Sequence, residues 1–96
     1  METAYIITLN MKVPDGLIEF GMFFIGNNKE AEMDSFSRLF GEHSKSENDL
    51  LRLDLIEKHQ GIDLLLDQVS CTLPQLEQNY RLITVDAFKY FNLEGN

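Results

Sequence analysis

The residues of this chain with a capacity for chemistry are few: two histidines, one cysteine and a scatter of carboxylates. His43, His59 and Cys71 carry the donor types that zinc selects. Their spacing fits no short ligand pattern, and one cysteine supplies too few soft ligands. Both histidines therefore read as solvated loop residues. Cys71 stands directly before a helix start, a position that lowers a thiol pKa and favours a nucleophilic thiolate. With a histidine as base it is the one nucleophile–base pairing worth naming. A buried structural cysteine is the plainer reading. Glu19, Asp54, Asp63 and Asp67 fall on predicted strands, where clustered carboxylates bind divalent cations or work as acid and base. Asp63 and Asp67 are expected on one face, but two pleats hold them roughly 13 Å apart, so they read as solvated sheet carboxylates. "GNNK", residues 26–29, lacks the glycine-rich signature of a phosphate loop. No nucleotide, haem, pyridoxal phosphate or EF-hand motif is found, and no cofactor is expected.

Charge excludes further classes. Sixteen acidic residues against eight basic ones give a net charge of −8. Nucleic-acid binding needs clustered Lys and Arg for counterion release, and no such cluster exists. Anionic membrane surfaces are disfavoured for the same reason. A single cysteine forbids an intrachain disulfide and fits a reducing compartment. No stretch approaches the roughly 20 apolar residues of a membrane span. The N-terminus lacks the basic and long apolar regions of a signal peptide, so cytoplasm is the expected compartment.

The elements that must position these residues follow from periodicity. Ala4–Val13 alternates, with Tyr5, Ile7, Leu9, Met11 and Val13 on one face and Ile6, Thr8, Asn10 and Lys12 on the other. Pro14, Asp15 and Gly16 make a tight turn into a second strand over Leu17–Ile25. Asn27, with Glu30 three residues on, suggests a capping box. It precedes a helix over Asn28–Phe40 with a stripe of Met33, Phe36, Leu39 and Phe40, stopped by Gly41. A polar loop, "GEHSKSEND", leads to strand three, where Leu51, Leu53 and Leu55 oppose Arg52, Asp54 and Ile56. "HQG" turns into strand four, which ends near Cys71. Thr72 caps a long last helix, with Pro74 in its first turn and Gln75 at the third position. Its stripe is Leu76, Tyr80, Ile83, Ala87 and Tyr90 or Phe91, and it runs to about Leu93, with Gly95 behind. The order is ββαββα. Gly16 and Gly61 are spaced as Asn27 and Thr72 are, but the helix stripes do not superpose, so the two units repeat topology without a clear sequence repeat. The 96 residues fit one α+β domain, a four-stranded, mainly antiparallel sheet with both helices on one face.

Such a fold leaves one sheet face without helices, and that face should be polar. Strands one and three obey, except at Ile6 and Ile56. Strand two does not. One of its alternating sets holds Ile18, Phe20, Met22 and Phe24; the other holds Leu17, Phe23 and Ile25. A three-residue loop would pair Val13 with Leu17 and Ile7 with Phe23, whereas a bulge at Gly16 or Gly21 would flip the assignment. Phe23 and Ile25, or Phe20, Met22 and Phe24, therefore reach the helix-free face, joined by Leu65 of strand four. A loop or chain terminus could cover them if strand two is central. Large exposed apolar patches otherwise mark interaction sites.

Three functions follow as expectations. The first is a non-enzymatic homodimer or protein-interaction module using this apolar face. The second is a binder of a small molecule, or a minor enzyme, with a groove near Gly21 and Cys71. The third is an acidic decoy or immunity-type inhibitor of a basic partner.

Overall fold

A computed structural model of the chain describes residues 3–43 and 50–90. The expected ββαββα order is present: β1 (Thr3–Val13), β2 (Gly16–Gly26), α1 (Lys29–Ser37), β3 (Leu51–His59), β4 (Ile62–Cys71) and α2 (Leu73–Tyr90). The strands form one sheet in the order β2-β1-β3-β4, and all three pairings are antiparallel. Strand two is thus an edge strand, not a central one. No helix is long and apolar enough to cross a membrane among the described residues.

The core lies between the helices and one sheet face. Tyr5, Ile7 and Leu9 of β1, Ile25 of β2, Leu53 and Leu55 of β3, and Val69 and Cys71 of β4 pack with Phe36 and Leu39 of the α1 segment and Leu76 and Ile83 of α2. These sheet residues take alternate positions, so both helices cover the same face. The smallest molecular extent, 20 Å, is that of two layers.

Local chemistry sets the ends of the elements. The β3–β4 hairpin turns on Gln60 and Gly61, both at positive φ, the twist-matched two-residue turn. The N-cap of α1 is Asn28 rather than the expected Asn27; its side chain accepts from the Ala31 amide at 2.9 Å. The helix also ends earlier, at Ser37. Its buried side is Glu32 and Phe36, continued by Leu39 beyond the helix end, while Met33 and Phe40 are exposed. Thr72 and Gln75 form the expected capping box: the Thr72 amide donates to Gln75 Oε1 at 2.9 Å, and the Gln75 amide donates to Thr72 Oγ1 at 3.3 Å. The ends expected for the last helix, Leu93 and Gly95, and most of the polar loop lie outside the described residues.

One residue joins the helices. Asn79 is fully buried, its Oδ1 accepting from the Phe40 amide at 2.7 Å and its Nδ2 donating to the Phe40 carbonyl at 2.9 Å. It ties the chain leaving α1 to the side of α2. Glu42 then pairs with Ser70 through two backbone hydrogen bonds, which occupies part of the outer edge of β4.

Three bulges decide the faces. The β1–β2 turn has two residues, since Val13 pairs with Gly16, not Leu17. An extra residue, Phe20, then shifts the register, so Ile7 still meets Phe23. A second shift leaves Ile25 extra before Gly26. In β4, Leu66 is extra, because Leu55 pairs with Asp67 and Ile56 with Leu65. That bulge overturns the expected common face for Asp63 and Asp67. Asp67 lies on the helix side with Leu55, and Asp63 lies opposite it, paired with Lys58.

Candidate interaction face

The helix-free face is built from the even positions of β1 and β3 and the residues that pair with them. Register lines these up in rows across all four strands. One row is apolar throughout: Phe24, Ile6, Ile56 and Leu65. The next is Met22, Thr8, Asp54 and Gln68, and after it comes Glu19, Asn10, Arg52 and Ser70. Ile6 and Ile56, the two exceptions to polarity in the central strands, are therefore neighbours at the middle of the apolar row. Ile6 is buried, but Met22 is 60 % exposed, Leu65 49 % and Phe24 40 %.

Asp54 anchors the polar part. It accepts from Arg52 twice, Nε to Oδ1 at 2.8 Å and Nη2 to Oδ2 at 3.0 Å, from Asn10 Nδ2 at 3.2 Å and from Gln68 Nε2 at 3.3 Å. Asn10 Nδ2 also lies 3.2 Å from Thr8 Oγ1. Thr8, Asn10 and Asp54 are all buried. The expectation of a solvated Asp54 is thus corrected: two amides and a guanidinium cover it. Sequence reading missed Asn10 and Gln68 because their convergence depends on cross-strand register. Further along, Lys58 Nζ lies 3.1 Å from each carboxylate oxygen of Asp63. The face carries Lys12, Arg52 and Lys58 against Glu19, Asp54 and Asp63, so its charges balance in a chain of net charge −8.

The interaction candidates divide. Met22, Phe24 and Leu65 belong to this face. Phe20 sits at the β2 bulge and is 55 % exposed. Phe23 and Ile25 do not belong. Ile25 is buried in the core, and Phe23 packs against it, its ring edge-on to Tyr80 at 5.1 Å. The bulge at Phe20 restores the pairing of Phe23 with Ile7 and so turns both residues inward.

The remaining candidates are dispersed. Cys71 is buried in the core at one edge of the sheet, while Gly21 lies on the opposite edge strand, roughly 14 Å away across three strand spacings. The two do not flank one groove. His43 is no simple solvated side chain: Nε2 lies 3.0 Å from the Leu39 carbonyl oxygen, Nδ1 lies 3.9 Å from Asp67, and the ring meets Phe36 edge-on. His59, at the other end of the β3–β4 hairpin from Cys71, lies 2.6 Å from Thr3 Oγ1 through Nδ1. Among the described residues no group of three or more His, Cys, Asp or Glu is placed to hold a metal ion. A cleft of about 700 Å³ opens at the turn end of the sheet, lined by Phe24, Lys58, His59 and Asp63 among others. The ammonium on its wall is the one held by Asp63.

On the helix side, titratable groups are crowded. Tyr5 donates to Glu57 Oε1 at 2.8 Å. Burial first, then that bond and the nearby carboxylates of Glu57 and Glu32, push the Tyr5 phenol up to about 12. Burial also raises the Glu32 carboxyl, and the negative Asp86 adds to it, against a bond at the Asn28 backbone that lowers it. Gly26, at φ +152, makes room for this side chain, since a Cβ there would run into the Glu32 carboxylate.

No family model matches this chain, and neither does any curated protein or solved structure compared with it.

Proposed function

We propose that this chain is a non-enzymatic, cytoplasmic protein-interaction module that docks through the helix-free sheet face. The observation that carries the reading is the apolar row Phe24, Ile6, Ile56 and Leu65, flanked by the exposed Met22. Large side chains held in water at both ends of the row, Phe24 and Met22 on β2 and Leu65 on β4, are costly, and burying them favours association. The Asp54 network beside the row supports the same use. Its polar groups already satisfy one another, so covering them leaves few hydrogen bonds unmade. The balanced charge of the face counts against a basic partner here, since it carries no acidic surplus.

Size-exclusion chromatography of a cell extract expressing the chain tests this. The wild type is expected in a species larger than the 11.1 kDa chain. Leu65→Lys should release it as a monomer with its fold intact, because the side chain is already half exposed. A wild-type chain that runs as a monomer both in the extract and when purified would refute the reading.

A further inference from the structure

We infer that the occupant of this face is a second copy of the same chain, packed sheet on sheet about a two-fold axis parallel to the strands, between β1 and β3. The inference rests on the reading that this face is an interaction surface.

Charge gives the first argument. Two chains of net charge −8 repel as wholes. The face is where that repulsion is absent, because three cations and three anions share it. A partner chosen for charge would need a face of one sign, whereas an identical copy needs a neutral one.

The rows give the second. A two-fold axis parallel to the strands exchanges β1 with β3 and β2 with β4 between copies. Each row then lies over itself, reversed. Phe24 meets Leu65 of the second copy and Ile6 meets its Ile56, so the apolar row closes on an apolar row. In the polar rows, Asn10 meets Arg52, Thr8 meets Asp54 and Glu19 meets Ser70, with no like charges stacked. An axis across the strands midway between the apolar row and the next would instead set Ile56 over Asp54, an apolar group on a buried carboxylate. Aligned sheets are one of the two common packings, their twist adding an angle of about −30°.

Area and edges give the third. Four strands of 9 to 11 residues, at about 4.8 Å by about 3.3 Å per residue, present about 600 Å² in projection. Over two copies that is about 1,200 Å², the lower end of the range for specific interfaces. Growth at the sheet edges is opposed. β2 is bulged at two places, β4 is bulged at Leu66, and Ser70 is already paired with Glu42.

Sedimentation of the purified protein is the test, with thiol cross-linking to read the geometry. The expected result is a dimer, with a mixture of Phe24→Cys and Leu65→Cys chains cross-linking several-fold more than either alone. Wild type, with only the buried Cys71, is the control. Met22→Cys mixed with Gln68→Cys reads the neighbouring row should Phe24→Cys fold poorly. Leu65→Ala should raise the dissociation constant about 30-fold, from half a leucine burial lost in each of two copies. A purified monomer at about 300 µM, above the Kd of weak specific dimers, overturns the inference. If that monomer still enters a larger species in extract, the interaction reading stands without the second copy. A dimer without the mixed cross-link overturns the geometry. A monomer whose Phe24→Cys thiol reacts only after residues 91–96 are removed assigns the face to the chain's own terminus instead.

Discussion

Replacing Asn79 with alanine isolates the contact that joins the two helices. The wild-type amide is fully buried and exchanges two hydrogen bonds with the backbone of Phe40, at 2.7 and 2.9 Å. Each bond contributes about 1 kcal/mol net, and more when its backbone partner stays shielded from water. Truncation also leaves a small void in a fully packed site, worth about 1 kcal/mol. The sum is about 3 kcal/mol, a large share of the roughly 5–14 kcal/mol expected for a domain of this size. Thermal unfolding should shift down by about 15 °C. Asn79→Asp sharpens the test. Its carboxylate still accepts from the Phe40 amide, but its other oxygen faces the Phe40 carbonyl, which also only accepts. Burial and that repulsion raise the folded pKa of the new carboxyl, so the folded state binds more protons than the unfolded one. Stability relative to wild type should therefore recover as pH falls through the folded pKa, when the acid donates as the amide did. Chemical denaturation from about pH 4 to about pH 8 measures both effects. A loss below about 1 kcal/mol for the alanine variant, or a wild-type-to-Asp gap independent of pH, would refute this account of Asn79.

Two further outcomes follow from the geometry. Glu32 has a raised folded pKa, so the wild type should lose stability as pH rises from the ordinary carboxyl value of 4.5 through the folded value. Glu32→Gln should remove that part of the slope and be the more stable chain at about pH 7; parallel curves for the two would count against it. Asp54→Ala should cost about 2 kcal/mol in urea unfolding, about half from the partly exposed Arg52 pair and half from the amide bonds. Asn10 keeps Thr8 and the Arg52 carbonyl as partners, which holds the loss down, and a cost near zero would return Asp54 to the solvated carboxylates.

The amino-acid sequence by itself determined the elements and their order. Period-two and period-3.6 patterns, Gly61 in its turn and the Thr72–Gln75 box are local signals, and local backbone physics answers them within about three residues. It also marked strand two as apolar on both sides and named Ile6 and Ile56 as exceptions. The tertiary structure decided which residues share a face. A single bulged residue inverts every later side chain, and three such shifts occur. One brought Phe23 and Ile25 into the core, and another parted Asp63 from Asp67. No turn or hydrophobic period announces an extra residue inside a strand, because its place depends on what the partner strand and the helices beyond it accept. Asn79 was hidden for a related reason. It lies between Leu76 and Ile83 on the buried stripe, but its role exists only where the chain leaving α1 presents the Phe40 backbone to it. The Asp54 network likewise draws on three strands, which only pairing at fixed register brings within hydrogen-bond reach.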